Sequence, residues 1–301
     1  MKEQSLECDV LCVGHACFDL VLTMDHHLGP DEKGYATDFS ESGGGPASTA
    51  ALAIAKLGLS TAFAGYLGND HYGDWHLDEL ATGGVNTNLI IRGKQPTPFS
   101  VVFVKPGGQR SVVNYRGQTH PLVAEDLDLT DISAHVILFD GHEPNISIPL
   151  ARDAKSKRIP MVLDAGSVHR GTSELIHDVT YCVASEKFAR QYTEETDVEK
   201  ALEILADIVP NAVITLGDRG LIWKTPYSQG SIEAFPVNVV DTNGAGDAFH
   251  GAFAAGLVLG YEWEYLLQFS SAVAALNCMH KGGRAGLPGI ETVQRFIKSI
   301  K

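Results

Sequence analysis

The segment Asp241-Thr242-Asn243-Gly244-Ala245-Gly246-Asp247 places two glycines around an alanine, directly before the apolar run 248–253. A helix starting at such a turn leaves backbone N–H groups without intrahelical partners, at the positive end of its macrodipole. That arrangement cradles a phosphate or a developing oxyanion. Asp247 sits at the same turn, close enough to take a proton from a hydroxyl held against those donors. A base beside an anion hole is what phosphoryl transfer to an alcohol requires. The same residues also fit a plain helix start with Asp247 as N-cap, so other parts of the chain must decide.

Three further glycine clusters bear on that decision. Ser42-Gly43-Gly44-Gly45-Pro46 leads into a helical pattern, where the backbone can approach a ligand or simply turn. Thr215-Leu216-Gly217-Asp218-Arg219-Gly220 follows a strand pattern, either at a ligand-binding strand end or as a hairpin turn into 221–224. Lys281-Gly282-Gly283-Arg284-Ala285-Gly286-Leu287-Pro288 reads as a basic helix C-terminus or as an anion or nucleotide contact. Asp19 lies beyond the first strand and is a candidate partner for a sugar hydroxyl, or a solvated loop carboxylate. The twelve histidines form no H-E-x-x-H pattern, so no zinc site is expected. Neither a Walker phosphate loop nor a protein-kinase glycine loop is present.

The elements that would position these residues follow a βα rhythm. Apolar runs at 9–14, 61–67, 136–139, 161–164, 181–184 and 212–216 read as strands. The stretches 46–58, 74–80, 146–156, 198–208, 247–260, 264–280 and 291–300 read as helices. This alternation predicts an α/β fold whose mostly parallel central sheet is flanked by helices. Polar strands at 20–41 and a hairpin of 99–104 with 110–115, turning at Pro106-Gly107-Gly108, interrupt the rhythm. They predict a small β-sheet lid, formed by about 17–42 and 97–117, on a single domain spanning 1–301.

Composition bounds the partners. The chain has 301 residues, of which 44% are hydrophobic and 20% charged, enough for a substantial core. Its net charge of −14 argues against nucleic acid or an anionic membrane as partner. With no signal-peptide pattern or membrane-length apolar run, a cytoplasmic location is expected. The five cysteines show no C-x-x-C spacing and read as buried free thiols.

Taken together, SGGGPASTAALA, TLGDRG and DTNGAGDAFHGAF resemble the ribokinase family, also called the PfkB carbohydrate kinases, over essentially residue 9 to the C-terminus. The resemblance implies an ATP- and Mg²⁺-dependent kinase acting on a sugar or nucleoside hydroxyl, with a monovalent cation such as K⁺ as a further cofactor. It also implies a ribokinase-like fold and a homodimer formed through the lid. Carried over, Asp247 is the general base, and Gly244, Ala245 and Gly246 form the anion hole. Asp241 supports the metal or monovalent cation, and Glu186 acts on the metal through water. Asp19, Gly43 and Gly44 bind substrate hydroxyls, while Thr215, Gly217, Gly220, Asn277 and Gly283 surround the nucleotide.

Three residues depart from the family pattern. Ser48 and Ser185 stand where asparagines are usual, and Cys17 stands where ribose-handling members carry Asn. GGGPA, the serine of the ASE segment and GGRAGLP resemble the bacterial sulfofructose kinases, which act on 6-deoxy-6-sulfofructose. Lys33, Asn114 and Arg116 on the lid are then candidates for an anionic tail, although His142 replaces an arginine of that subgroup. A ketose or related sugar is the broader expectation. The rivals are a nucleoside kinase on the same fold and a catalytically inactive, kinase-shaped ligand sensor.

Overall fold

The computed structural model describes residues 6–105, 109–117, 119–127, 129 and 132–300. The predicted turn at 106–108 lies outside the described residues. Among them run β1 (Leu6–Val13), β2 (Cys17–Thr23), β3 (Asp38–Gly44), α1 (Pro46–Lys56), β4 (Thr61–Gly68), α2 (His71–Thr82) and β5 (Ile90–Gly93). There follow β6 (Phe99–Val104), β7 (Arg110–Tyr115), β8 (Ile132–Phe139), α3 (Pro144–Ser156), β9 (Met161–Ala165), α4 (Arg170–Leu175), β10 (Tyr181–Ser185) and α5 (Glu186–Thr193). The last are α6 (Val198–Ile208), β11 (Asn211–Thr215), β12 (Leu221–Lys224), β13 (Gln229–Ile232), α7 (Ala245–Val258), α8 (Trp263–Asn277) and α9 (Ile290–Ile300).

Nine strands form the central sheet in the order β13-β12-β11-β10-β9-β8-β1-β4-β5. The seven from β11 to β5 are parallel, and β12 and β13 add an antiparallel edge. A strand segment buried on both faces must be apolar at every position, and β1 shows it over its last four residues, Val10 to Val13. Val10 and Cys12 pack into the core on one face, Leu11 and Val13 into the core on the other. The first core is closed by α1, α7, α8 and α9, the second by α3, α5 and α6. Small residues let α1 and α7 cross closely: a Cβ on Gly251 would stand 2.6 Å from the carbonyl oxygen of Ala50.

A second sheet has the order β3-β2-β6-β7, with β6 and β7 antiparallel as predicted and β2 parallel to β6. Its own core is only Val21, Val102 and Val104, and β7 is exposed along its whole length. Where the structure adds elements, the sequence signal was thin. Helix α5 buries only Phe188 and Ala189, and β13, with sequence QGSI, has no apolar run to read. All five cysteines are buried and free. Among the described residues no helix is long and apolar enough to cross a membrane.

Candidate active site

The carboxyl ends of the parallel strands carry the polar residues, as open α/β sheets do around their ligands. Helix α7 begins there with Gly244 as its N-cap, at φ 68°. Only glycine fits, because a Cβ would lie 2.2 Å from the carbonyl oxygen of Gly283. No side chain caps the helix, which rules out the N-cap reading of Asp247; that residue lies in the first turn instead. A Cβ on Gly246 would meet nothing within 4 Å, so the first turn opens onto free space where a ligand can approach. Burial pushes the Asp247 carboxyl above its ordinary range; His250, Arg110 and Arg284 pull it down and Asp19 pushes it up.

Asp19 comes to the same place from β2. It is buried, and its Oδ2 accepts from Asn243 Nδ2 at 3.3 Å. Gly44 lies against it, a Cβ there standing 2.4 Å from Asp19 Oδ2. A polar chain continues into the small sheet: Cys17 Sγ donates to Asp19 Oδ1 at 3.3 Å, Ser100 Oγ lies 3.7 Å from Cys17 Sγ, and Ser100 Oγ donates to Asn114 Oδ1 at 2.8 Å. Asp19, Gly44 and, through Ser100 and Cys17, Asn114 therefore connect to the 241–247 turn, whereas a Cβ on Gly43 would face Glu79, Arg284 and His76.

Arg284 goes elsewhere than to an external anion. Its buried guanidinium donates to Thr49 Oγ1 (3.0 Å), the Gly44 carbonyl (3.0 Å) and Ser48 Oγ (2.7 Å), and reaches His76 and Glu79. Facing that cation and buried, the His76 imidazole is pushed well below its ordinary value, burial being the larger cause. The anion-contact reading of Arg284 is thus corrected: the guanidinium fastens β3 and α1. Sequence reasoning also missed Asp140, at the end of β8. Its carboxylate accepts from the amides of His15 (2.7 Å), Ala47 (3.1 Å) and His142 (2.8 Å).

The three residues expected to meet an anionic tail do not act together. Arg116 Nη2 donates to His142 Nδ1 at 3.1 Å, beside a small hollow also lined by His15, His120 and Glu143. The rings of His142 and His169 stack with centroids 4.4 Å apart. Burial, and then competition with the adjacent His142 ring for positive charge, holds His169 at about 4, and burial likewise lowers His142. Lys33 is exposed in the connection between β2 and β3 and among the described residues makes no ion pair. Another lid residue, which the sequence did not single out, does reach the site: Arg110 Nη1 donates to Thr242 Oγ1 at 2.7 Å.

On the nucleotide side the expected residues divide. Gly217 (φ 64°) has open space where a Cβ would be, as a cradle requires. The expected Gly283 instead packs on Asn243, a Cβ there standing 3.2 Å from its Nδ2, and it is the neighbouring Gly282 (φ 84°) that opens onto free space. Gly220 instead makes the hairpin turn into β12, with a Cβ position 2.0 Å from the Ile232 carbonyl oxygen. Thr215 Oγ1 donates to the Ala184 carbonyl at 3.3 Å. Asn277 is fully buried, so its side chain does not line the surface; it donates to the carbonyls of Gly283 (2.9 Å) and Asn243 (3.4 Å) and braces the anion-hole turn.

Of the two carboxylates expected at a cation, one fits. Asp241 is buried and accepts from the amides of Asn243 (2.8 Å) and Gly282 (2.9 Å), which leaves lone pairs free, and Asn277 Oδ1 is a buried acceptor without a partner. Glu186 does not fit. Both its oxygens are taken by guanidinium groups, Arg190 at 2.8 Å and Arg219, which ties α5 to the TLGDRG turn. Ser185 is the N-cap of α5, accepting from the Phe188 amide at 3.0 Å.

A parallel α/β sheet with an open helix start, a buried carboxylate in its first turn and a small sheet joined to it fits a phosphotransferase of the carbohydrate-kinase class. The model of the family described as pfkB family carbohydrate kinase matches residues 8–290, and the chain belongs to that family. It is therefore an ATP-dependent carbohydrate kinase. Ribokinase of Bacillus subtilis (strain 168) is 27% identical over 297 residues, covering 96% of this chain and 99% of that protein. Fructokinase-2 of Oryza sativa subsp. japonica is 27% identical over 290 residues, with 86% of each covered. Among solved structures, Arabidopsis thaliana ribokinase complexed with ribose and ATP is similar with a TM-score of 0.82 at 25% identity, covering 97% of this chain and 99% of that one. Thermotoga maritima ribokinase is similar with a TM-score of 0.83 at 26% identity and the same coverage.

Proposed function

We propose that the protein transfers the γ-phosphoryl group of ATP to a hydroxyl of a ketose or related sugar, with Asp247 as the general base. The observation that carries this reading is the uncapped start of α7, with Asp247 in the same first turn as the open donors and Asp19 tied to that turn. Asp19 and the backbone around Gly43 and Gly44 orient the sugar. Asp247 then takes the hydroxyl proton as the O–P bond forms, and the 244–246 amides hold the negative charge on the transferring oxygens. Magnesium, when bound with ATP, offsets phosphate charge. Asp241 and the acceptors beside it are the groups for a divalent or monovalent cation such as K⁺. Because Asp247 sits above the ordinary carboxylate range, kcat is expected to fall on the acid side at a higher pH than for a solvated aspartate.

The small sheet closes over the sugar as a lid in this reading, with Arg110 bridging to the 241–247 turn. Its exposed Phe39, Val112, Val113 and Tyr115 are the surface through which a homodimer would form. Arg116 lines a polar hollow with His15, His120 and His142, which keeps an anionic sugar such as 6-deoxy-6-sulfofructose among the substrates. A nucleoside is less well served, because Phe18, Tyr72, Trp75 and Phe99 pack on one another. A coupled ADP-release screen over neutral ketoses, phosphorylated and sulfonated ketoses, ribose and nucleosides tests the reading. Turnover on a sugar supports it, while turnover on nucleosides alone contradicts the sugar assignment. With ATP bound but no turnover at all, the sensor reading wins. In Asp247→Asn, kcat should fall about 10²–10⁴-fold with ATP binding kept.

A further inference from the structure

One turn below the anion hole, α7 carries His250, a buried residue that the phosphoryl-transfer account leaves unused. Its Nδ1 lies 2.6 Å from the Gly246 carbonyl oxygen, and its Nε2 lies 3.0 Å from the Val183 carbonyl oxygen on β10. A carbonyl oxygen only accepts, so each contact needs a proton on the ring nitrogen, and only the imidazolium carries both. An acidic partner is beside it, its carboxyl raised to about 7 by burial against the pull of His250. Asp164 Oδ2, from the end of β9, stands 3.3 Å from Nδ1, and both side chains are 6% exposed. That oxygen has no hydrogen-bond partner, so a nearby cation is what answers its burial. Moving the proton to Asp164 would leave an imidazole lone pair facing a carbonyl oxygen at hydrogen-bond distance.

We propose that His250 is a buried imidazolium paired with Asp164, and that it positions and charges the anion hole from beneath. Two consequences follow from the covalent geometry. The peptide between Gly246 and Asp247 is planar and trans, so drawing its carbonyl down onto His250 aims the Asp247 N–H up into the hole. The charge also favours the ionised form of Asp247, against burial and Asp19, alongside Arg110 from β7 and Arg284 from the segment after α8. Asp164 in turn faces His250, Asp247 and Asp140, with Cys182 of β10 beside it. The inference rests on the reading of Asp247 as the base.

Nitrogen NMR of histidine-labelled protein tests it, with His250 assigned by its loss in His250→Gln or, should that variant not fold, by the signal that moves in Asp164→Asn. The expected spectrum shows His250 protonated on both nitrogens at neutral pH. Asp164→Asn removes the counter-charge and should bring the loss of that proton to lower pH. In His250→Gln the acid limb of kcat should move up by about one pH unit or more, with sugar KM little changed. A neutral imidazole in the wild-type spectrum at neutral pH would overturn the proposal, even if His250→Gln failed to fold. So would an acid limb that does not move in a folded His250→Gln. Near-normal kcat in Asp247→Asn is a different failure: it would remove the base and leave the imidazolium standing.

Discussion

Helices α1 and α7 start alike and end up with opposite assignments. Each follows a glycine at positive φ, Gly45 at 96° and Gly244 at 68°, and neither has a side-chain cap of its own. At α1 a carboxylate arrives from another strand: Asp140, at the end of β8, accepts from the Ala47 amide at 3.1 Å. At α7, among the described residues, no side chain accepts from the Gly246 or Asp247 amide. The first dipole is answered inside the protein and the second is left open, as the proposed phosphate site requires. A glycine-rich helix start is therefore a binding site only when no third element supplies its acceptor.

Four substitutions press on that contrast. The largest effect belongs to the α1 side: Arg284→Met leaves Glu79 and the Gly44 carbonyl without their buried partner. It should cost about 3–5 kcal/mol in urea unfolding, the usual toll of breaking a buried pair. Gly244→Ala forces a Cβ into the Gly283 carbonyl. Turnover should drop about 10²–10³-fold, the worth of a misplaced anion-hole donor, and an active variant would break the distinction drawn for α7. Asp140→Asn keeps one acceptor oxygen but loses the charge at α1, so stability should fall by about 1–2 kcal/mol with kcat largely kept. Smallest in stability is Gly246→Ala, whose methyl enters open space. Its unfolding free energy should stay within about 0.5 kcal/mol of wild type while KM for ATP rises, separating ligand space from packing space.

Much of this was legible along the chain, in an uneven way. The parallel strands announce themselves because burial on both faces demands unbroken apolar runs, and the hairpin bounds at 99–104 and 110–115 match β6 and β7. The turn at 241–247 was legible because its donors and its carboxylate are contiguous. What stayed hidden depends on partners far apart in sequence. Asp140 is 93 positions from Ala47, and Arg284 is 240 from Gly44, so neither capping role has a local signature. Glu186 shows the opposite failure: a family position predicted a metal, but Arg190 and Arg219 have taken its carboxylate. Gly220 and Asn277 likewise turned out to build the site rather than line it.

The most direct test of the central claim sets Asp247→Asn beside Asp140→Asn, with kcat by coupled ADP release and melting temperature measured for both. The account predicts that Asp247→Asn loses turnover by about 10²–10⁴-fold and keeps its melting temperature, whereas Asp140→Asn loses melting temperature and keeps turnover. Turnover retained in Asp247→Asn, or lost more severely in a folded Asp140→Asn, would contradict it.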